Sequence, residues 1–135
     1  MSTFTTLLLS LPTGHSTLRM RLWRALKATG CAVLRDGVYV LPATAPQREA
    51  LSSIEGDVRK AGGNAMTAEL SVQPSELPRL HALFDRTRDY GELVTKIDAA
   101  RRAAARSGVQ RASTAYERLK RAFDELSAID FYPGH

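Results

Sequence analysis

Between Leu7 and Pro42 the chain has few ways to fold. LLLSLP is an apolar run too short for a helix and is stopped by Pro12, so Leu7, Leu8 and Leu9 read as a strand buried on both faces. STLRMRLWRALKATG follows with helical periodicity, Ser16 standing where an N-cap would accept a first-turn N–H and Gly30 where the helix should stop. CAVLRDGVYVLP then sets Asp36-Gly37 between two β-prone runs. Asp-Gly adopts positive φ at low cost, so Cys31–Leu34 and Val38–Leu41 should close as an antiparallel hairpin ended by Pro42.

Helical spacing resumes from Thr44 or Ala45 to about Ala61, with Pro46 tolerated in the first turn, Leu51, Ile54 and Val58 on one face, and Gly62-Gly63 as the stop. Asn64–Val72 reads as a last strand. The order β-α-β-β-α-β predicts an α+β fold, the ferredoxin-like antiparallel sheet with both helices on one face and the other face open. Residues 1–73 form this domain. The open face requires a cover, from the rest of the chain or from a second copy.

Residues 74–135 read as a helical hairpin extension packed on that domain. Ser75–Ser107 is helical, with Tyr90-Gly91 as a kink or division, and Ser107-Gly108 breaks it. A last helix runs from about Gln110 to Ile129, its stripe formed by Ala112, Ala115, Tyr116, Leu119, Ala122, Phe123, Leu126 and Ile129, which makes the pair an αα-hairpin. Phe131-Tyr132-Pro133-Gly134 resembles a docked tail leading into a linker.

Charge is distributed more tellingly than its total of +5 suggests. From Ser16 to Arg35 there are five basic residues, Arg19, Arg21, Arg24, Lys27 and Arg35, and no acidic one. At about 100° per residue, Leu18, Leu22, Ala25 and Thr29 line up toward the sheet with Leu26 on the flank, so Arg21, Arg24 and Lys27 point away from it. Such a helix face either is simply solvated or tracks a phosphate backbone, because several cations on one rigid element neutralise several phosphates together. Arg is the side chain best suited to reading guanine where one reaches a base edge. A second basic cluster, Arg101, Arg102, Arg106, Arg111, Arg118, Lys120 and Arg121, is opposed by Glu117 alone, whereas acids and no Lys or Arg follow Arg121.

Catalytic constellations are missing from the sequence. His15, His81 and His135 have no metal-gathering spacing, and neither a Walker pattern nor G-x-G-x-x-G occurs. His15 beside Ser16 is adjacency without triad geometry. A metal-dependent phosphodiesterase on this fold would need acids near the end of the first strand, where Leu11-Pro12-Thr13 stands and no acid precedes Asp36. A non-enzyme without cofactor or metal is therefore expected. The single cysteine, Cys31, excludes an internal disulfide and reads as a small buried residue. With no span-length apolar run and no secretory leader, a cytoplasmic protein without membrane contact is expected.

The stretch LPTGHSTLRMRLWRALKATGCAVLRDGVYVLP and the closing I-D-F-Y-P-G resemble the N-terminal domain of ChrB, the chromate-resistance regulator family, through L-P-T, R-x-R-x-W-R-x-L-K and R-D-G-V-Y-x-L-P, over Leu7 to Gly134. More distantly the chain resembles PaaX-type repressors and the small ferredoxin-like nucleases of CRISPR adaptation. The resemblance implies a DNA-binding repressor of a chromate-efflux operon, with operator DNA as partner and Arg19, Arg21, Arg24, Lys27 and Arg35 as DNA or oxyanion contacts; a homodimer is the expected working form. Chromate itself, a tetrahedral dianion, would be held at Ser16 and Arg19 if this domain takes it. Family members usually continue past the Pro-Gly into a second domain, so an excised domain or a short form is implied. A nuclease of the CRISPR-adaptation type and a non-catalytic protein-interaction module are the alternatives.

Overall fold

The strand at the centre of the sheet begins earlier than the leucine run. In the computed structural model, which describes residues 2–14, 16–106 and 109–133 with 109–112 as backbone alone, β1 spans Ser2–Ser10. It pairs antiparallel with β3 (Val38–Pro42) on one side and with β4 (Asn64–Val72) on the other, and β2 (Ala32–Arg35) lies outside β3. The order β2-β3-β1-β4 is all antiparallel. With α1 (Ser16–Thr29) between β1 and β2 and α2 (Ala45–Lys60) between β3 and β4, this is the expected α+β, ferredoxin-like arrangement.

Burial along β1 corrects the expectation drawn from its leucines. Phe4, Thr5, Thr6 and Leu7 are buried, whereas Leu8 is 37% exposed and Leu9 is half-buried. The cause is position. Residues flanked by strands on both sides and covered above and below are buried whatever their polarity, and the β-branched threonines suit a pleated strand.

Cross-strand partners share a face, so Thr5, Leu7, Leu41, Tyr39, Glu69 and Thr67 lie on one side. α2 covers that side. Its Leu51, Ile54 and Val58 are buried, and Arg48 reaches Glu69 at 2.6 Å. α1 lies there too, Leu22 and Leu26 sharing a cleft with Leu9 and Tyr39. Gly63 lets α2 return tightly to the sheet, since a Cβ there would stand 2.8 Å from Val58 and 2.9 Å from the Ser10 carbonyl.

Phe4, Thr6, Leu8, Val40 and Leu70 lie on the opposite face, the one expected to need a cover. A short 3-10 turn (Pro74–Glu76) and α3 (Leu77–Ala82) follow β4. Leu80 and Phe84 of this segment are buried, and the Phe84 ring stacks on Phe4 with centroids 6.3 Å apart. The compact unit accordingly runs from Met1 to Phe84.

Asp85–His135 is a second unit containing α4 (Thr87–Ala104) and α5 (Val109–Ala128). The division of the helical segment falls at Asp85, not at Tyr90-Gly91. The Asp85 carboxylate accepts from the Thr87 N–H at 3.0 Å and hydroxyl at 2.6 Å, a local turn that competes with helix continuation. Gly91 stays helical, its carbonyl accepting from the Thr95 hydroxyl. Tyr90 and Phe123 meet across the pair at 6.2 Å. The break at Ser107-Gly108 and the side chain of Ala112 lie outside the described residues, as does Gly134. Among the described residues no helix is long and apolar enough to cross a membrane.

Two positions test this account by urea denaturation. Gly37 has φ +83°, and a Cβ there would stand 2.7 Å from the Leu9 carbonyl oxygen, while Leu9 N–H donates to the Gly37 carbonyl at 2.9 Å. Gly37→Ala should therefore destabilise by about 2 kcal/mol or more, left-handed cost and clash together. Thr6 Oγ1 is buried with no hydrogen-bond partner among the described residues. Thr6→Val, of matching shape, should stabilise by about 1 kcal/mol.

Candidate nucleic-acid interface

α1 is anchored by Leu22 and Leu26, both buried, with Leu18, Ala25 and Thr29 half-buried beside them. The expected apolar stripe therefore meets the sheet, with Leu26 at its centre and not on its flank. At the helix end the Thr29 hydroxyl donates to the Leu26 carbonyl at 2.5 Å and accepts from the Cys31 N–H at 3.2 Å. Cys31, expected buried, is half-buried, with its thiol 3.3 Å from the same carbonyl. These contacts fix which way the rest of the helix faces.

Arg19, Arg21, Arg24 and Lys27 are all exposed. Ion pairs among the described residues include Arg48–Glu69, Arg59–Glu55, Arg79–Glu76, Arg86–Asp89 and Arg88–Glu92. None involves α1. Arg19 is the one α1 cation with a hydrogen bond among the described residues, to the Pro12 carbonyl at 3.4 Å. Local spacing explains the contrast, because Arg59, Arg79, Arg86 and Arg88 each pair with an acid three or four residues away, and α1 contains no acid.

Two apolar side chains interleave with these charges. Met20 is 54% and Trp23 46% exposed, one helical turn apart on the outward side. Sequence reasoning sets Trp23 one turn from Arg19 on the helix border, where the guanidinium can lie on the indole, and assigns neither Trp23 nor Met20 to nucleic acid, although an indole between Arg21 and Arg24 and off the Leu22–Leu26 stripe has no core to enter. Trp23 and Arg19 line a cleft of about 410 Å³ with Ser10, Asp36 and Tyr39. Burial first, then the negative charge of Asp36 and the nearby Cys31, push the Tyr39 hydroxyl above its ordinary value, partly offset by a backbone hydrogen bond at Gly37. Tyr39 is thus a neutral phenol at the base of a cleft with a cation and an indole at its rim.

Arg35 does not join the α1 group. The register slips between Val33 and Arg35, and Arg35 lines a different cavity of about 470 Å³ with Leu70, Val72, Arg79 and Leu80, against the sheet face away from α1. Ser16, assigned with Arg19 to an oxyanion, is the exposed first residue of α1. His15 lies outside the described residues, as does His135, and His81 is half-buried on α3. Among the described residues no three His, Cys, Asp or Glu side chains gather as for a metal ion. In the second unit Arg101, Arg102, Arg106, Arg118, Lys120 and Arg121 are exposed, and the side chain of Arg111 is outside the described residues.

Residues 19–132 match the family described as Protein ChrB, N-terminal. The chain is 34% identical over 128 residues to Protein ChrB of Cupriavidus metallidurans, an alignment that takes in 94% of this chain and 40% of that protein. The chain thus spans less than half the length of that relative. The match encloses all but the first three residues of α1, the hairpin, α2 and both helices of the second unit, so this chain belongs to the ChrB family and corresponds to its N-terminal domain.

Proposed function

We propose that this chain is the DNA-binding domain of a transcriptional regulator of a chromate-resistance operon, and that α1 is the element that meets the DNA. The observation that carries the reading is the set of four exposed cations on one packed helix, none of them paired with a carboxylate among the described residues. A rigid helix aligns Arg21, Arg24 and Lys27 at three-residue intervals, a spacing that lets neighbouring side chains take neighbouring phosphates and release their counterions. Met20 and Trp23 supply apolar surface between those charges, suited to sugar and base faces. Arg19, beside Trp23, stands at the cleft and is placed to contribute direction more than charge alone. Phosphate contacts would set affinity and register, and an arginine reaching a guanine edge would set sequence preference. Arg35, on the other side of the sheet, would have to contact a different segment of DNA or serve another purpose.

Chromate enters as the effector of the regulated operon. Ser16 and Arg19 at the first turn of α1 are the residues assigned to it within this chain, and titration calorimetry with chromate against sulfate tests the assignment. Selective heat with chromate that disappears in Arg19→Ala supports it; equal or absent heats remove a sensing role from this domain.

The DNA assignment is tested by titrating operator duplex at two salt concentrations. With about four phosphates neutralised, affinity should fall on the order of 150-fold between about 50 and 200 mM salt. Arg24→Glu should weaken binding by tenfold or more at low salt and flatten the salt dependence by about one phosphate equivalent. Salt-insensitive binding, or an Arg24→Glu protein that binds as wild type, overturns the assignment of α1. Incubating the same duplex with the protein and magnesium or manganese, then running it on a gel, reads the nuclease alternative directly, as cleavage.

A further inference from the structure

One cleft of the first unit brings a carboxylate, a phenol, an indole and a guanidinium together. It lies between the end of β1, α1 and the β2–β3 turn, and encloses about 410 Å³, within the roughly 300–1,000 Å³ typical of small-molecule sites. Its apolar lining includes the buried Leu22 and Leu26. Asp36, in the turn, is exposed and has no ion pair among the described residues. Its charge lies close enough to Tyr39 to help keep that hydroxyl protonated. Arg19 and Trp23 form the α1 side of the cleft, and both are exposed. With Lys27 they fall four residues apart in one row along the helix.

The chemistry of these groups selects a ligand. An ionised carboxylate only accepts hydrogen bonds, so the edge that meets Asp36 must donate. An exposed indole suits a flat ring, and a guanidinium at the rim suits an anion. A nucleotide supplies edge, ring and anion in one molecule. Among the bases, guanine alone presents two adjacent ring-edge donors, N1–H and N2–H, on its Watson–Crick edge. Adenine and cytosine set a ring-nitrogen lone pair beside the amino group, and thymine sets carbonyls on both sides of its N–H, so each brings a lone pair against the carboxylate. The protonated Tyr39 hydroxyl adds a donor, which guanine O6 can accept. Base pairing occupies that same edge, so the guanine must be unpaired, in a single strand, an overhang or an extruded nucleotide.

We infer that this cleft is a nucleobase site for an unpaired guanine, its Watson–Crick edge on Asp36, its ring on Trp23 and its phosphate at Arg19. A free amino acid could bridge Asp36 and Arg19 as a zwitterion. The nucleotide is favoured because Arg19 and Trp23 continue into the cations of α1, along which a strand would bring its bases to the cleft; to that extent the inference rests on the reading of α1 as the element that meets nucleic acid. It adds to that reading a base that is read outside the duplex, by a turn residue that is not on α1.

Trp23 is the one tryptophan of the chain, so its fluorescence reports the cleft directly. Titrating the full chain with dGMP should change that fluorescence saturably, and dAMP, dCMP and TMP should bind at least tenfold more weakly. Asp36→Asn preserves the turn, since Asn-Gly serves it as well as Asp-Gly. It should weaken dGMP at least tenfold and erase the preference, because an amide offers one acceptor and sets its NH2 against the second donor. A strand is distinguished from a free nucleotide by duplexes: one with a guanine overhang should bind at least fivefold tighter than one with an adenine overhang, and lose that advantage in Asp36→Asn. Four nucleotides binding alike, no calorimetric heat with dGMP, an Asp36→Asn protein that prefers guanine as wild type does, or leucine binding in place of dGMP overturns the inference. Salt-dependent binding of blunt duplex with no response to dGMP or to the guanine overhang sinks the nucleobase site and leaves the reading of α1 intact. A guanine preference without binding of blunt duplex supports the site and removes α1 from the duplex.

Discussion

Every element of the first unit takes its position from the burial of β1 between two antiparallel neighbours. β4 follows it over its whole length and β3 over five residues, so its backbone groups are satisfied on both edges and neither edge is open to other strands. Its side chains divide the unit. Leu7 and Thr5 face the layer built from α2 and α1, while Phe4 and Thr6 face the layer to which Phe84 belongs. The contact between Leu9 and Gly37 ties the β2–β3 turn to the end of the same strand, and α1 begins six residues beyond it. The orientation of the basic helix thus follows from strand register. A slip of one residue in β1 would exchange the faces of Phe4 and Leu7 and leave α1 without a surface on which to lie.

The electrostatics of the two units differ in kind. In α2 and at the start of α4, Arg59, Arg86 and Arg88 pair with acids within one turn, contacts in which at least one partner is well exposed and which contribute little to stability. α1 forgoes even these. Arg21, Arg24 and Lys27 repel one another at three-residue spacing, a cost of a few tenths of a kcal/mol per pair, and nothing in the fold requires that cost because Leu22 and Leu26 alone attach the helix. α5 carries a different cost, its charges reversed against its own dipole. The α1 surface is of one sign, whereas α5 passes from the cations Arg118, Lys120 and Arg121 at its middle to the acids Asp124 and Glu125 toward its end.

Much of this was legible in the residues. Leu51, Ile54 and Val58 announce the buried face of α2, Asn64–Val72 coincides with β4, and Asp36-Gly37 announces the turn, because each rests on a local rule that tertiary context reinforces. The first part of β1 was not legible, since Ser2–Thr6 is polar and only the flanking strands make it a core segment. Nor was the division at Asp85, where a single carboxylate satisfying the Thr87 N–H outweighs the usual reading of glycine as the breaker. In the site, the outward direction of Arg21, Arg24 and Lys27 follows from periodicity alone. The separation of Arg35 from them does not, because it depends on a register irregularity in β2. Trp23 and Met20 could have been found by asking which apolar residues fall off the buried stripe, whereas the cleft joining Trp23 to Tyr39 depends on how the hairpin curls back toward α1.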